Sequence, residues 1–184
     1  MRIWIKEIVN KEGKKVLLKG WVVGRRDHGK VIFIDLKDKT GICQIVFSPE
    51  FSSYLEAKEL RSAWVIEIEG EVKRRPKGME NPKMETGFLE VSGENLKILN
   101  RAGTLPIEID SDGYGISEEI RLKYRYLDLR RERLQRNLRI RHQVIQFIRN
   151  YLTEKGFVEI ETPILTKATP EGARDFVVPS RLHP

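Results

Sequence analysis

The sequence predicts a small five-stranded β-barrel with one helix, followed by a mostly helical segment. Three observations lead there. Between residues 14 and 100 the chain passes through five short stretches with apolar residues at alternate positions, separated by turn-forming residues. One stretch of helical spacing, residues 50 to 62, falls between the third and fourth of them. Beyond residue 117 the apolar period lengthens from two to about 3.6, the repeat of a helix.

The first strand is VLLKGWVVGRR, and Asp27, His28, Gly29 and Lys30 form the turn that ends it, with Gly29 free to take positive φ. VIFIDLKD is the second strand, and Thr40–Gly41 turns the chain into the third, ICQIVF. In EFSSYLEAKELRS, Phe51, Leu55 and Leu60 carry the helical spacing. The fourth strand, WVIEIEGEVKRR, alternates cleanly, with Trp64, Ile66, Ile68 and Val72 opposed to Glu67, Glu69, Glu71 and Lys73. RPKGMENPKMETG is a loop rich in Gly and Pro, and FLEVSGENLKIL closes the set. Gly103, Pro106, Gly113 and Gly115 mark a hinge, after which Ser117, Glu118 and Glu119 start a helix over EEIRLKYRYLDLRR. A long helix is expected over about 132 to 155, with Leu134, Leu138, Val144, Ile145, Ile148 and Leu152 on one stripe and Gly156 as its C-cap. Val158 to Glu161 then read as a strand that Pro163 stops. The domain boundaries follow: a barrel at 1–104, a hinge at 105–130 and a further segment at 131–184.

Five strands with a helix between the third and fourth is the order of the OB-fold, which binds oligonucleotides on its second and third strands. Alternation assigns Ile32, Ile34 and Leu36 to the core and Val31, Phe33, Asp35 and Lys37 to the outside. An outward Phe33 is either a stacking platform for a base or packing beneath a loop. Gln44 shares a face with Ile42 and Val46, so its side is ambiguous, yet its amide carries the donors and acceptor that reading a base edge needs. Arg25 and Arg26 stand ready for phosphate or base.

Bulk properties agree. Of 184 residues, 40% are apolar and 33% charged, enough for a core and for solubility. No run of about 18 apolar residues suggests a membrane span, and the N-terminus lacks a long apolar signal core. One cysteine, Cys43, makes no internal disulfide, and no Cys/His cluster has zinc spacing, so no metal site is expected and the cytoplasm is the expected compartment. The net charge of +7 favours a polyanionic partner. Residues 121 to 149 hold ten Lys/Arg against Asp128 and Glu132. That density is either a solvated helix face with ion pairs or a contact surface for RNA or a second subunit.

Residues 156 to 181, GFVEIETPILTKATPEGARDFVVPSR, resemble motif 1 of the class II aminoacyl-tRNA synthetases followed by the substrate loop of the aspartyl-tRNA synthetases. TPEGARDF with VPSR is the more specific part. GWVVGRRDHGKVIFIDLKDKTGICQIVF is similar to the anticodon-binding barrel of the bacterial aspartyl-tRNA synthetases, and RYLDLRR is also typical of them. The resemblance implies that residues 131–184 are the truncated start of the class II α+β catalytic domain. It implies that Phe33 stacks on the central U of the anticodon, that Arg26 and Gln44 contact that base, and that Glu90, in GFLEV, recognises the first anticodon base. It assigns Glu171, in the substrate loop, to L-aspartate, where a carboxylate makes a charge-assisted partner for the ammonium group. His28 in the Asp-His-Gly turn and Gly78 after Arg75-Pro76 resemble the non-discriminating subgroup, which charges both tRNA(Asp) and tRNA(Asn). The plainer alternatives are a polar turn residue and an exposed loop acid for His28 and Glu171.

The implied function is ATP-dependent attachment of aspartate to tRNA(Asp), with Mg²⁺, by a homodimer joined through the motif 1 helix and strand. Motifs 2 and 3, which carry the phosphate-binding arginines, lie beyond residue 184 in the family pattern. No catalytic residue is therefore expected within this chain, and the chain alone is expected to be inactive. The alternative is a non-catalytic OB-fold protein that binds tRNA or single strands.

Overall fold

The computed structural model describes residues 1–167 and 176–182. It divides into two units, Met1–Pro106 and Ile107–Pro184.

The first unit is a closed barrel of five strands: β1 (Lys15–His28), β2 (Val31–Lys37), β3 (Ile42–Phe47), β4 (Val65–Arg74) and β5 (Leu89–Asn100). They run β1-β2-β3-β5-β4 around the barrel, and β4 pairs back to β1. All neighbours are antiparallel except β3 and β5, which are parallel. This is the expected five-stranded OB-fold. The alternation that predicted it is realised as burial: Ile32, Ile34 and Leu36 of β2, Cys43, Ile45 and Phe47 of β3, and Ile66, Ile68 and Val72 of β4 all point inward. At roughly 25 cal/mol per Å² of apolar surface withdrawn from water, this shared interior is the main force holding the barrel closed. Burial also pushes the Cys43 thiol far above its ordinary pKa, so it packs as an inert apolar group.

Three local departures from expectation have physical reasons. Asp27 and His28 belong to β1, pairing with Ile32 and Val31, so the hairpin turn is only Gly29 and Lys30. Gly29 takes the positive φ, +62°, that a tight hairpin needs. The helix between β3 and β4 shrinks to α1 (Ser53–Ala57), because residues 58–64 must bend back to the sheet. There Ala63 N–H donates to Val22 O and Val22 N–H to Trp64 O, each at 2.8 Å, which ends the helix early. Leu55 consequently faces solvent while Ala57 and Leu60 reach the core. Finally, a 3-10 helix at Ile5–Asn10, which no periodicity signalled, inserts Ile5 and Ile8 into the core. Buried Asp38 fixes it: its carboxylate accepts from Ile5 N–H at 2.9 Å and, on the other oxygen, from Thr40 N–H at 2.6 Å.

The second unit contains α2 (Glu118–Lys123), α3 (Arg125–Asp128) and α4 (Glu132–Glu154). The helical stretch expected over EEIRLKYRYLDLRR is broken at Tyr124, and the long helix falls where the apolar stripe placed it. Asp128 explains the break. It is fully buried and accepts from Arg121 Nε at 3.1 Å, Arg125 Nη1 at 3.0 Å and Arg131 Nε at 2.8 Å. Arg131, also fully buried, donates onward to Ser111 O at 2.9 Å and Glu108 O at 2.5 Å. RYLDLRR is therefore a structural knot that ties the chain before α2 to the start of α4. Burial alone would raise the Asp128 carboxyl, but hydrogen bonds from Arg121 and Arg131 outweigh it and hold the group below the ordinary carboxylate range.

Gly156 ends α4 as expected. Its N–H donates to Thr153 O at 2.9 Å and Phe157 N–H to Leu152 O at 3.1 Å, a Schellman cap that requires the φ of +86° seen there. The strand expected at Val158 to Glu161 is not formed: residues 157–163 lie in no ladder among the described residues. A strand exists only when a neighbour takes its backbone groups. Here the segment is held instead by a side chain, Arg149 gripping Glu159 at 2.9 to 3.0 Å.

Candidate nucleic-acid interface

The outer face of the barrel brings together residues that lie far apart in the chain. Register places Arg26 of β1 beside Phe33 of β2, Asp35 of β2 beside Gln44 of β3, and Gln44 beside Glu90 of β5. The side chains bond along this row. Arg26 Nη2 donates to Asp35 Oδ1 at 2.8 Å and to Gln44 Oε1 at 3.4 Å. Gln44 Nε2 donates to Glu90 Oε2 at 3.0 Å. Phe33, part-exposed between inward Ile32 and Ile34, flanks the row. Gln44 thus turns toward the outer face, where Arg26 and Glu90 bond it on either side and leave only 9% of it exposed, and its two neighbouring strands resolve the ambiguity in ICQIVF.

Two members of this site were not singled out from sequence. Asp35 orients Arg26. Arg75 is buried to 8% exposure at the end of β4, held by Nε donating to Leu89 O at 3.0 Å, while its Nη2 has no hydrogen-bond partner. Its nearest charges include Glu90 and Asp35, and burial pulls its pKa down. Glu90 is affected in turn: partial burial raises its carboxyl, opposed by the Gln44 hydrogen bond and by the charges of Arg75 and Lys73. The face therefore presents a desolvated acid, an amide, two guanidinium groups and an aromatic ring. That set can donate to and accept from base edges while one base stacks.

The other predicted positions separate. Arg25 is occupied by its own strand, bidentate to Asp27 at 2.9 and 2.6 Å and bonded to Lys58 O. His28 is exposed at the tip of the β1–β2 hairpin. Gly78 lies in the β4–β5 loop with φ +87°, its N–H donating to Glu80 at 2.8 Å; an added Cβ would meet nothing within 4 Å, so backbone conformation alone makes glycine the fitting residue. Glu171 lies outside the described residues. In the basic stretch, Arg121, Arg125 and Arg131 are committed to Asp128, and Arg149 to Glu159. Among the described residues no group of three or more His, Cys, Asp or Glu is placed to hold a metal ion. No helix among them is long and apolar enough to cross a membrane.

Comparison with known proteins agrees with the fold. Residues 16–99 match the OB-fold nucleic acid binding domain family, and residues 117–184 match the tRNA synthetases class II (D, K and N). Over 174 residues, 94% of this chain, the sequence is 56% identical to the aspartate–tRNA(Asp/Asn) ligase of Halothermothrix orenii. It is 58% identical over 174 residues to the aspartate–tRNA ligase of Oceanobacillus iheyensis and 59% identical over 172 residues to the aspartate–tRNA(Asp/Asn) ligase of Endomicrobium trichonymphae. The chain spans 29% of the length of each of these relatives. Among solved structures, asparaginyl-tRNA synthetase from Pyrococcus horikoshii, complexed with asparaginyl-adenylate, superposes with a TM-score of 0.78 at 28% identity, covering 94% of this chain and 38% of that one. An aspartyl-tRNA synthetase from Entamoeba histolytica shares the fold with a TM-score of 0.80 at 22% identity, covering 93% of this chain and 41% of that one.

Proposed function

This chain belongs to the bacterial aspartyl-tRNA synthetase family, and we propose that its barrel reads the anticodon of tRNA(Asp) for an aspartate–tRNA ligase. The observation that carries the reading is the row Arg26–Asp35–Gln44–Glu90 beside Phe33. The central U of the anticodon stacks on Phe33. Its carbonyl oxygens accept from Arg26 and Gln44, and its N3–H donates to the Gln44 carbonyl oxygen. Glu90 takes the first base: a guanine edge offers two neighbouring N–H donors, and a carboxylate accepts both. A non-catalytic single-strand binder is the less favoured reading, because the likeness to class II synthetases extends through residues 117–184.

The rest of the reading concerns the complete ligase. Glu171 binds the ammonium group of L-aspartate, ATP activates its carboxylate, and the enzyme works as a cytoplasmic homodimer. Mg²⁺ is assigned, with ATP, to the complete ligase, where one or two carboxylates and the substrate phosphates would hold it. His28 and Gly78 lie on the β1–β2 hairpin and the β4–β5 loop, where they tolerate the third anticodon base of both tRNA(Asp) and tRNA(Asn). Comparable charging rates on the two tRNAs by a complete enzyme carrying this sequence support that last point, and a hundredfold preference for tRNA(Asp) overturns it.

The central test is a titration of this chain against an anticodon stem-loop carrying GUC and one with the central U changed to A. Selective binding of the first, lowered roughly 5- to 150-fold in Phe33→Ala, is the expected result. Equal, salt-sensitive binding of both loops would leave only charge attraction and overturn the assignment.

A further inference from the structure

We propose that Phe88 is a second base-stacking residue of this face, receiving the base next to the one that Glu90 bonds. The inference rests on the anticodon reading above and extends it to a residue that the resemblance did not assign.

Phe88 immediately precedes β5. Leu89 and Val91 point into the core, so alternation turns Phe88 and Glu90 outward together. Two strand residues place them about 7 Å apart, a separation of the order of one unstacked nucleotide. The ring is 39% exposed, and among the described residues it stacks on no other aromatic. Its backbone is rigidly held. Arg75 N–H donates to Phe88 O at 3.0 Å, Leu89 N–H to Thr86 O at 2.9 Å, and buried Thr86 Oγ1 to Ile42 O at 2.7 Å, which pins the end of the loop to β3. A platform fixed in this way loses little conformational entropy when a base settles on it.

Arg75 adds a fixed positive charge behind this strand end. Arg75, paired through its backbone to Phe88, is more than nine-tenths buried and keeps Nη2 without a partner. That atom is itself sealed from solvent, so Arg75 acts on this face through its positive charge, near Glu90 and Asp35, rather than by bonding a base. The charge fits too, since Lys73 on β4 and Lys77 and Lys83 on the β4–β5 loop are exposed cations for a polyanion. Phe33 lies two strands away on β2, so the two rings bracket the Gln44–Glu90 pair. Successive bases of a single strand would be held at both ends and read between.

The test separates stacking from packing. This chain and its Phe88→Ala, Phe88→Leu, Phe88→Tyr and Phe33→Ala variants are titrated with the GUC stem-loop, and each variant's thermal unfolding is recorded. Phe88→Ala should weaken binding roughly 5- to 150-fold, Phe88→Leu should lose most of that, and Phe88→Tyr should bind nearly as the parent, with melting temperatures unchanged. Full binding by Phe88→Leu and Phe88→Ala, with Phe33→Ala still impaired, overturns the role of Phe88 alone. Weakened binding in Phe88→Leu accompanied by a matching fall in melting temperature assigns the ring to packing and also overturns it. Failure of the parent chain to prefer the GUC loop overturns the anticodon reading itself.

Discussion

The barrel strands and the α4 helix both carry an apolar pattern, yet the two stand differently in the structure. In the barrel, every second residue of five strands meets the same from other strands, and Ile34, Ile45, Ile66 and Ile68 are wholly buried. On α4 only Leu134 is buried, while Val144, Ile145, Ile148 and Leu152 of the same stripe remain exposed. Periodicity therefore reports that a face wants covering. It does not report what covers it, and a closed barrel alone supplies its own cover.

Polar groups draw the same contrast in reverse, and here the largest effect is expected. The helical unit is held by charge: Asp128 neutralises only one of three arginines around it. Asp128→Ala should cost about 3–5 kcal/mol, because it strands Arg131 without a counter-ion. Loss of hydrogen-exchange protection in residues 118–135 measures it. Because the Asp128 pKa is depressed, its contribution is full at pH values above the ordinary carboxylate pKa and is lost as pH falls through the depressed value. Unchanged protection down to strongly acid pH would show that packing, not charge, holds the knot.

Paired truncations test the apolar half of the contrast. Ile68→Ala, inside the barrel, should destabilise by about 2–5 kcal/mol in denaturant unfolding. Ile148→Ala should stay within about 0.5 kcal/mol of the parent. An equal cost at both positions would mean that the α4 face is covered in solution, by a second copy of the chain at the concentrations used.

A smaller effect belongs to the β4–β5 loop. Gly78→Ala should cost about 1 kcal/mol through its positive φ, with no steric clash to add to it. A neutral result would mean that the loop relaxes freely. Smallest is Glu90→Gln. Burial raises the Glu90 carboxyl, so its ionised form weighs against folding, and the penalty grows as pH rises from the unfolded carboxylate value through the raised folded one. The glutamine variant should melt slightly higher at neutral pH, match the parent below about pH 4, and bind the GUC loop more weakly. Improved binding in that variant would remove Glu90 from base reading.

How much was legible follows from the same physics. Strand faces in VIFIDLK and WVIEIEGEVKRR were readable because polar and apolar residues alternate there. ICQIVF was not, because residues on both of its faces are apolar, and only its register with β2 and β5 turned Gln44 outward. Arg75 was hidden for a different reason: a basic residue ahead of Pro76 has the composition of a solvated loop, and the backbone of β5 buries it. The 3-10 helix at Ile5–Asn10 is too short to show a period, and Trp4 at its N-cap is no capping residue, so the hydrogen bond from Trp4 N–H to Glu7 at 2.6 Å had no signal in the sequence. The expected strand at Val158 to Glu161 failed because local alternation cannot supply a neighbouring strand.

The parallel pairing of β3 with β5 has a kinetic consequence. It is only three residue pairs long, and it joins Gln44 to Glu90 across 46 positions of sequence. No hairpin can make that contact, so it must wait until the long intervening chain has paid its loop-closure entropy. The amide–carboxylate bond at the middle of this outer face therefore belongs among the late-forming contacts of this domain. A nascent or partly melted barrel would hold its hairpins and still lack the Gln44–Glu90 contact, so that if this face reads bases as proposed, selective RNA capture would report completed closure.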